Sequence, residues 1–237
     1  MRTLVINSTN IVPDGDNNKF IYKFPNSVLF KDDYVALSSV SIYYSWFNIT
    51  SAFQNNIIQY VWDGVTFTIN IPDGIYEVAT LNALLQYTFI QNSHYLVDAT
   101  GSNVYYAQFL VNPARYAVQI NTYLFPLALP AGWTNPAGVV FPAVTFNPSI
   151  ILPASINVIL GYTAGFTTDP NIGNAFIPPV NDTFVSKLAN GTLSYISTQA
   201  PNIQPNSSLL VALSNIDNAY AQPSSLIYTI VPSVAVG

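Results

Sequence analysis

Hydrophobic and polar residues alternate along much of this chain, which is the pattern of strands that bury one face. Residues 3–7 form a short candidate strand. In residues 19–24, Phe20, Tyr22 and Phe24 share one face. Further strands are predicted at 103–111, 115–121, 155–162, 207–214 and 225–231, with a short one around 144–152. The alternation therefore predicts an all-β fold.

The longest alternating segment, residues 34–46, changes phase near its middle. Apolar side chains occupy odd positions as far as Leu37 and even positions from Val40 onwards. A slip of one residue exchanges the two faces of a strand, so we expect a β-bulge at Ser38-Ser39.

A β-hairpin is predicted from residues 57–62 and 65–71, which are joined by Asp63-Gly64. Both central residues of a type I′ turn need a positive φ, and Asp-Gly meets that need. The second strand alternates cleanly between apolar and polar positions. The hairpin is the strongest local prediction in the chain.

One segment has helical periodicity. Leu81, Leu85 and Phe89 recur at four-residue spacing, and Glu77 lies where the helix dipole favours a carboxylate. We therefore predict one short inserted helix over about 78–92. We expect it to pack against an open end or edge of a β-sandwich.

Residues 123–181 are rich in Pro, Gly and Ala, yet too apolar for a flexible linker. They are predicted to form ordered loops. Neither an internal repeat nor a domain boundary is visible, and 237 residues suit one large β domain. We therefore expect a single domain over 1–237.

Composition adds a hint about assembly. Half of the residues are hydrophobic, but only 7% are charged, whereas an ordinary domain carries about 25%. A monomer with so little charge is poorly protected against association. The composition favours a subunit of a larger object, although an extracellular β protein with a Tyr- and Asn-rich surface fits equally well.

Charge and cysteine content exclude several classes. The net charge is −5 and the six cations are scattered, so no direct nucleic-acid binding is expected. The chain has no cysteine, hence no disulfide framework. Its first residues are too short an apolar run for a signal peptide, and no segment reaches the roughly 20 apolar residues of a membrane span. No membrane insertion is expected.

The residues available for catalysis are few. His94 is the only histidine and Glu77 the only glutamate. His94 follows the predicted helix, where interaction with the C-terminal dipole is its ordinary role. No nucleophile-elbow pattern accompanies it. The prediction is that the chain is not an enzyme and has no catalytic, cofactor-binding or metal-binding residues.

Aspartates and exposed aromatics were the other candidates for a site. Asp32-Asp33 could serve as paired carboxylates, but they resemble a turn, as do Asp63, Asp73 and Asp98. A Ca²⁺ site built from turn aspartates lacks regularly spaced oxygen ligands. In residues 43–46 only Tyr44 and Trp46 share a face, and we assign them to the core or to a subunit contact.

Several blocks in sequence order resemble the penton, or minor capsid, proteins of polinton-like viruses and virophages. They extend from about residue 30 to 232 and cover most of the chain. The blocks are Asp33 to Trp46 with Asn48-Ile49, Asn55-Asn56, Tyr60 to Gly64, Ile71 to Tyr76, Leu81-Asn82, Asn103 to Tyr106, Tyr116 to Asn121, Ile159 to Tyr162, Pro205 to Val211 and Pro223 to Ser225. Each block is short, so the resemblance rests on their ordered combination.

The resemblance implies a single jelly roll of two four-stranded antiparallel sheets. It implies a virion protein whose homopentamers close the five-fold vertices of an icosahedral capsid, beside a double jelly-roll major capsid protein. Such a protein is made and assembled inside the host cell. The family has structural rather than catalytic motifs, so no site residue is carried over. The alternative is a jelly-roll receptor- or glycan-binding module, like a fibre head or a lectin.

Overall fold

The computed structural model describes residues 4–12, 19–27, 34–40, 47–153, 155–169, 174–175, 191–203, 208–214, 216–217 and 219–230. Internal contacts divide the chain into two compact units. The terminal unit comprises Met1–Ser41 and Leu210–Thr229, and the central unit comprises Ile42–Leu209 and Ile230–Gly237. The organisation of residues 1–237 as a single domain stays a prediction.

The described elements are mostly strands, which confirms an all-β class at this coarse level. In chain order they are a 3₁₀-helix (Ser8–Asn10), β1 (Ile57–Trp62), β2 (Val65–Asn70), α1 (Val78–Gln91), β3 (Tyr95–Val97), β4 (Asn103–Tyr105), β5 (Ala107–Asn112), β6 (Ala117–Thr122), β7 (Ser149–Ile151), α2 (Ile156–Ile159), β8 (Asn174–Ala175), β9 (Leu193–Ile196), β10 (Leu209–Ala212) and β11 (Leu226–Ile230). Among the described residues, no helix is long and apolar enough to span a bilayer.

Four small sheets organise these strands. The central unit holds β2-β1-β7, β5-β6-β9-β8 and the pair β3-β4, whose neighbouring strands are all antiparallel. The fourth sheet is the pair β10-β11, which lies in the terminal unit apart from its end residues Leu209 and Ile230.

The hairpin prediction is confirmed. Ile57 pairs with Asn70 and Trp62 with Val65, and the two residues between β1 and β2 have positive φ, 47° at Asp63 and 76° at Gly64. These are the left-handed angles that a type I′ turn requires.

The helix prediction is also confirmed. Leu81, Leu85 and Phe89 are buried on one side of α1. The helix contacts β5, which is an edge strand of its sheet among the described strands. There the Asn82 Oδ1 accepts a hydrogen bond from the Phe109 N–H at 2.9 Å. A helical side chain thus satisfies a backbone group that an edge strand would otherwise leave open.

Aromatic rings fill much of the core of the central unit. The Trp62 ring lies 4.8 Å from that of Phe125 and 5.9 Å from that of Phe89, measured between centroids. The Tyr106 ring lies 4.8 Å from Phe125 at 78°. Such edge-to-face pairs add to the stabilisation that buried area provides. This core contains side chains from β1, β5, β6 and α1.

The strand predicted at 155–162 is wrong, because residues 156–159 form the short helix α2. Ile156 and Leu160 are both buried at helical spacing, whereas Val158 is 60% exposed. Asn157 secures the turn by donating from Nδ2 to the Thr163 carbonyl at 2.7 Å. A short apolar run cannot by itself distinguish a strand from a helix.

Three N-terminal strand predictions are wrong in the described residues. Residues 4–7 lead into the 3₁₀-helix, where the Asn7 Oδ1 accepts from the Thr9 N–H and hydroxyl, and such local bonds compete with pairing. Residues 19–24 form only one bridge, Ile11 with Phe20. Residues 34–40 form no strand, and the side chains of Tyr34, Val35 and Val40 are exposed. Residues 41–46 lie outside the described part.

The remaining strand predictions are confirmed with shifted bounds. The strand at 103–111 is two strands, β4 and β5, separated by the buried Tyr106. The strand at 115–121 begins at Ala117, since Tyr116 has a φ of 49° and completes a turn. The others correspond to β7, β10 and β11. Strands β3, β8 and β9 were not predicted.

Candidate functional site

His94 lies in an aromatic box formed by Tyr60, Trp62 and Phe67. Its ring stacks on Trp62 with centroids 4.4 Å apart and planes 8° from parallel. The Phe67 and Tyr60 rings meet it nearly at right angles, at 4.8 Å and 5.7 Å. The histidine predicted to end the helix therefore belongs to the core-lining aromatics rather than to an open cleft.

A short hydrogen-bond chain links this histidine to Tyr60 and Asn92. The Asn92 Nδ2 donates to the Tyr60 hydroxyl at 3.0 Å, and that hydroxyl lies 3.0 Å from the His94 Nδ1. The Tyr60 hydroxyl, which accepts from Asn92, still has its own proton to donate, and an unprotonated Nδ1 can accept it. Burial lowers the pKa of His94 to about 4. Burial also raises the pKa of Tyr60 above its usual range, an effect that the Asn92 hydrogen bond opposes.

This arrangement does not assemble catalytic machinery from the described residues. The side-chain hydrogen bond of His94 there is to Tyr60, not to a serine or a carboxylate. Burial favours the neutral imidazole, which packs on Trp62 and bonds the Tyr60 hydroxyl.

Of the candidate aspartates in the described residues, Asp98 bonds its own turn, whereas Asp73 bonds a residue distant in sequence. Asp73 accepts hydrogen bonds from the Ser51 N–H and hydroxyl, at 2.7 and 3.2 Å. Asp98 accepts from the backbone N–H groups of Thr100 and Ser102, both at 2.9 Å. Within the described ranges, no three potential ligand side chains gather into a metal-binding group. Residues 32–33 and 43–46 lie outside the described residues.

Strands β5, β6 and β9 carry a buried polar layer that the sequence did not reveal. The Asn112 Nδ2 donates to the Gln119 Oε1 at 2.9 Å, and the Gln119 Nε2 donates to the Asn121 Oδ1 at 2.8 Å. Ser194 of β9 donates to the same Asn121 oxygen at 2.8 Å. Gln108 donates to the Tyr123 hydroxyl at the end of this layer.

The opposite face of β6 is apolar, with Val118 and Ile120 in the core. Alternation would have placed Gln119 and Asn121 in solvent, but both are fully buried. Side chains of β5 and β9 form the hydrogen bonds of Gln119 and Asn121, so the layer is visible only once these strands are placed beside β6. Buried polar groups that satisfy one another favour one strand register over its alternatives.

A shallow hollow lies beside β7 in the central unit. Its volume is about 570 Å³, and its lining consists of Ser149, Thr163, Gly165, Phe166, Thr167, Thr168 and Asp169. The Phe166 ring packs against Tyr162 with centroids 4.3 Å apart. Hydroxyls, one aromatic ring and one carboxylate form this lining, and the Thr168 hydroxyl accepts from the Ile150 N–H at 2.8 Å. The only sequence signal was a run of threonines near Asp169.

The surface of the central unit is unusually neutral. Between Arg115 and Asp169 the chain has no charged side chain. Within this segment Leu127, Val140 and Val144 are 50%, 76% and 74% exposed. These side chains add exposed apolar area to a segment that carries no charge. Comparison with protein-family models, curated proteins and solved structures finds no match to this chain.

Proposed function

We propose that this chain is a structural virion protein and not an enzyme: the penton subunit of an icosahedral capsid, folded as a single jelly roll. Homopentamers of the chain close the five-fold vertices and contact a double jelly-roll major capsid protein. The vertex assignment is supported by the ordered resemblance to penton proteins of polinton-like viruses and virophages. The β-rich elements agree with it at the level of fold class.

Assembly itself is supported by one observation, the exposure of large apolar side chains on a nearly uncharged surface. In the described residues Tyr116 is 84% exposed and Phe53 63%. The terminal unit adds Val5 at 70% and Tyr34, which is fully exposed. Only 7% of the residues are charged. Burying the exposed apolar area against a partner would therefore lower the free energy of the protein.

The mechanism is geometric. Each subunit uses two different faces in a head-to-tail contact, which forms a ring when the rotation between neighbours closes. Tyrosine suits such contacts because it combines apolar area with a hydrogen-bonding tip. The scattered cations of the chain are consistent with a vertex protein that leaves genome contacts to other proteins.

Native mass measurement and particle imaging test this proposal together. The purified protein should form a species of five times the 25.9 kDa chain mass, at least when mixed with the major capsid protein. Image reconstruction of the virion should place the chain at the five-fold vertices. Density for a different protein at those vertices would refute the proposal.

A second candidate, a glycan-binding module, is favoured by the hollow beside β7. Carbohydrate sites combine an aromatic ring with hydroxyl and carboxylate groups, and Phe166, Thr167 and Asp169 supply these types. Binding of the purified chain to a glycan array, lost in Asp169→Asn and retained in Asp63→Asn, would support it. A pentamer without any glycan signal would favour the vertex role alone.

A further inference from the structure

The edges of the described sheets differ in how they are covered. At the edge strand β5, the Phe109 N–H bonds the Asn82 side chain of α1. At β7, the Leu152 N–H bonds the Phe166 carbonyl and the Thr168 N–H bonds the Ile150 carbonyl. Strand β2 is the outer strand of β2-β1-β7, and no described strand lies beside its free edge.

The free edge of β2 is regular and exposed. Ile71 donates its N–H to the Asn56 carbonyl, so the odd-numbered residues of β2 direct their backbone groups toward β1. Thr66, Thr68 and Asn70 therefore direct theirs outward, and all three are exposed. Proteins usually protect such an edge with a lysine, a proline or a bulge. Strand β2 contains no charged residue and no proline.

In the terminal unit, residues 19–22 have one side that pairs with no described strand. Residues 19–21 pair with 10–12 through the Lys19 carbonyl and the Ile21 N–H. Phe20 and Tyr22 therefore direct their backbone groups the other way. Their side chains are 46% and 37% exposed, respectively. The alternation of residues 19–24 thus predicts a strand that the chain does not complete.

We propose that residues 19–24 of one copy add as a strand to the free edge of β2 in a second copy. This inference rests on the proposed homopentamer and specifies its contact. The addition is parallel, because this orientation sets Phe20 and Tyr22 on the apolar face of the hairpin. In parallel pairing, a residue with outward groups lies opposite one whose groups point away. Thr68 then lies opposite Ile21, donates its N–H to the Phe20 carbonyl and accepts from the Tyr22 N–H.

The side chains agree with this register. Phe20 and Tyr22 fall beside Phe67 and Ile69 and extend the apolar face of the hairpin. Lys19 and Lys23 fall on the side of the threonines. The charges nearest β2 in sequence, Asp63 before it and Asp73 after it, are opposite in sign to the two lysines. An antiparallel addition would place the aromatic rings over the threonines instead.

Mixed single-cysteine variants test the contact directly, because the chain contains no cysteine. Ile21→Cys carrying an affinity tag and untagged Thr68→Cys are mixed and treated with a short thiol crosslinker. We expect a tagged–untagged dimer, and none when Ala114→Cys, at an exposed turn position, replaces Thr68→Cys. A double variant that crosslinks only within one chain, with no product in the mixture, would overturn the proposal.

A proline substitution tests whether the edge is needed for assembly. The Thr68 N–H points outward, so Thr68→Pro preserves the ladder with β1 while blocking the added strand. We expect far-UV circular dichroism like that of the native chain and at least a tenfold loss of pentamer. The matched control Thr68→Val, which also lacks the hydroxyl that bonds Gln59, should assemble normally.

The outcomes separate the two proposals. A pentamer that survives Thr68→Pro and gives no mixed dimer overturns the strand addition and leaves the vertex role standing. Absence of any pentamer in the native chain mixed with the major capsid protein overturns the vertex role. If Thr68→Pro unfolds the hairpin, the cysteine mixture decides alone.

Discussion

The central and terminal units carry similar alternating patterns, but they bury them to very different extents. Every described residue that is fully buried belongs to the central unit, including Phe89, Tyr106 and Phe125 at 0% exposure. In the terminal unit Tyr34 and Tyr220 are fully exposed. The same pattern thus yields a packed core in one unit and exposed apolar side chains in the other.

The difference shows that alternation produces a stable strand only when another element covers its apolar side. In the central unit β1 pairs on both edges, with β2 and β7, and packs through Tyr60 and Trp62 onto α1 and the loops. In the terminal unit Phe20, Val35 and Val40 remain 46%, 47% and 45% exposed. Under the proposed assembly, a second copy would cover such positions.

The largest effect is expected from truncating a core ring. Phe89→Ala leaves a cavity among Tyr60, Trp62 and Tyr105 and should lower the free energy of unfolding by about 3–5 kcal/mol. Phe20→Ala in the terminal unit should cost less than about 1 kcal/mol in the isolated chain. Urea unfolding of both variants provides the measurement. Similar costs would contradict the contrast between the units.

The buried polar layer should be the next most sensitive feature. Gln119→Leu conserves volume but leaves Asn112, Asn121 and Ser194 without their central partner. Unsatisfied buried groups cost about 1–3 kcal/mol, so a loss near 2 kcal/mol is expected in urea unfolding. The matched control is Gln59→Leu, at a half-buried position whose side chain donates to Thr68, and it should cost under about 0.5 kcal/mol. Equal losses would mean that the layer contributes no special stability.

Acid should destabilise the central unit through His94. Its pKa is about 4 in the folded chain and about 6.5 when unfolded, so the unfolded chain binds the proton more readily. Stability should therefore fall as the pH drops through 6.5 and continue to fall until about 4. Because the ring is partly exposed, solvent screening reduces the loss to the order of 1 kcal/mol.

The comparison that isolates this effect uses His94→Gln. Urea midpoints of the native chain and the variant are measured at pH 7 and pH 5. The native chain should lose more stability than the variant over this range. An equal loss in both proteins would assign the pH dependence to other groups.

The smallest folding effect is expected at the exposed tyrosine of the terminal unit. Tyr34→Ser should change the free energy of unfolding by less than about 0.5 kcal/mol, because the side chain is fully exposed. If the exposed apolar residues serve assembly, the same change should reduce the pentamer fraction in sedimentation velocity. Substantial unfolding of the isolated variant would show that Tyr34 has a partner within its own chain.

Local signals were sufficient where one short segment decides its own structure. The Asp63-Gly64 turn has a backbone requirement that few dipeptides meet, and the alternation on both sides sets the register of β1 and β2. The spacing of Leu81, Leu85 and Phe89 requires one helical face. The strand prediction for residues 155–162 is wrong because their apolar positions fit the strand period and the helix period alike. Only the burial of Ile156 together with Leu160 distinguishes the two.

The sequence alone therefore determined the β-rich class, the hairpin, the helix and the neutral character of the surface, since these depend on neighbouring residues and on composition. Tertiary structure decided what alternation left open. It enclosed Gln119 and Asn121 in a polar layer and surrounded His94 with aromatic rings. It also covered the edges of β5 and β7, whereas no described strand covers the outer edge of β2. Each of these depends on residues distant in the chain, whose approach no local pattern specifies.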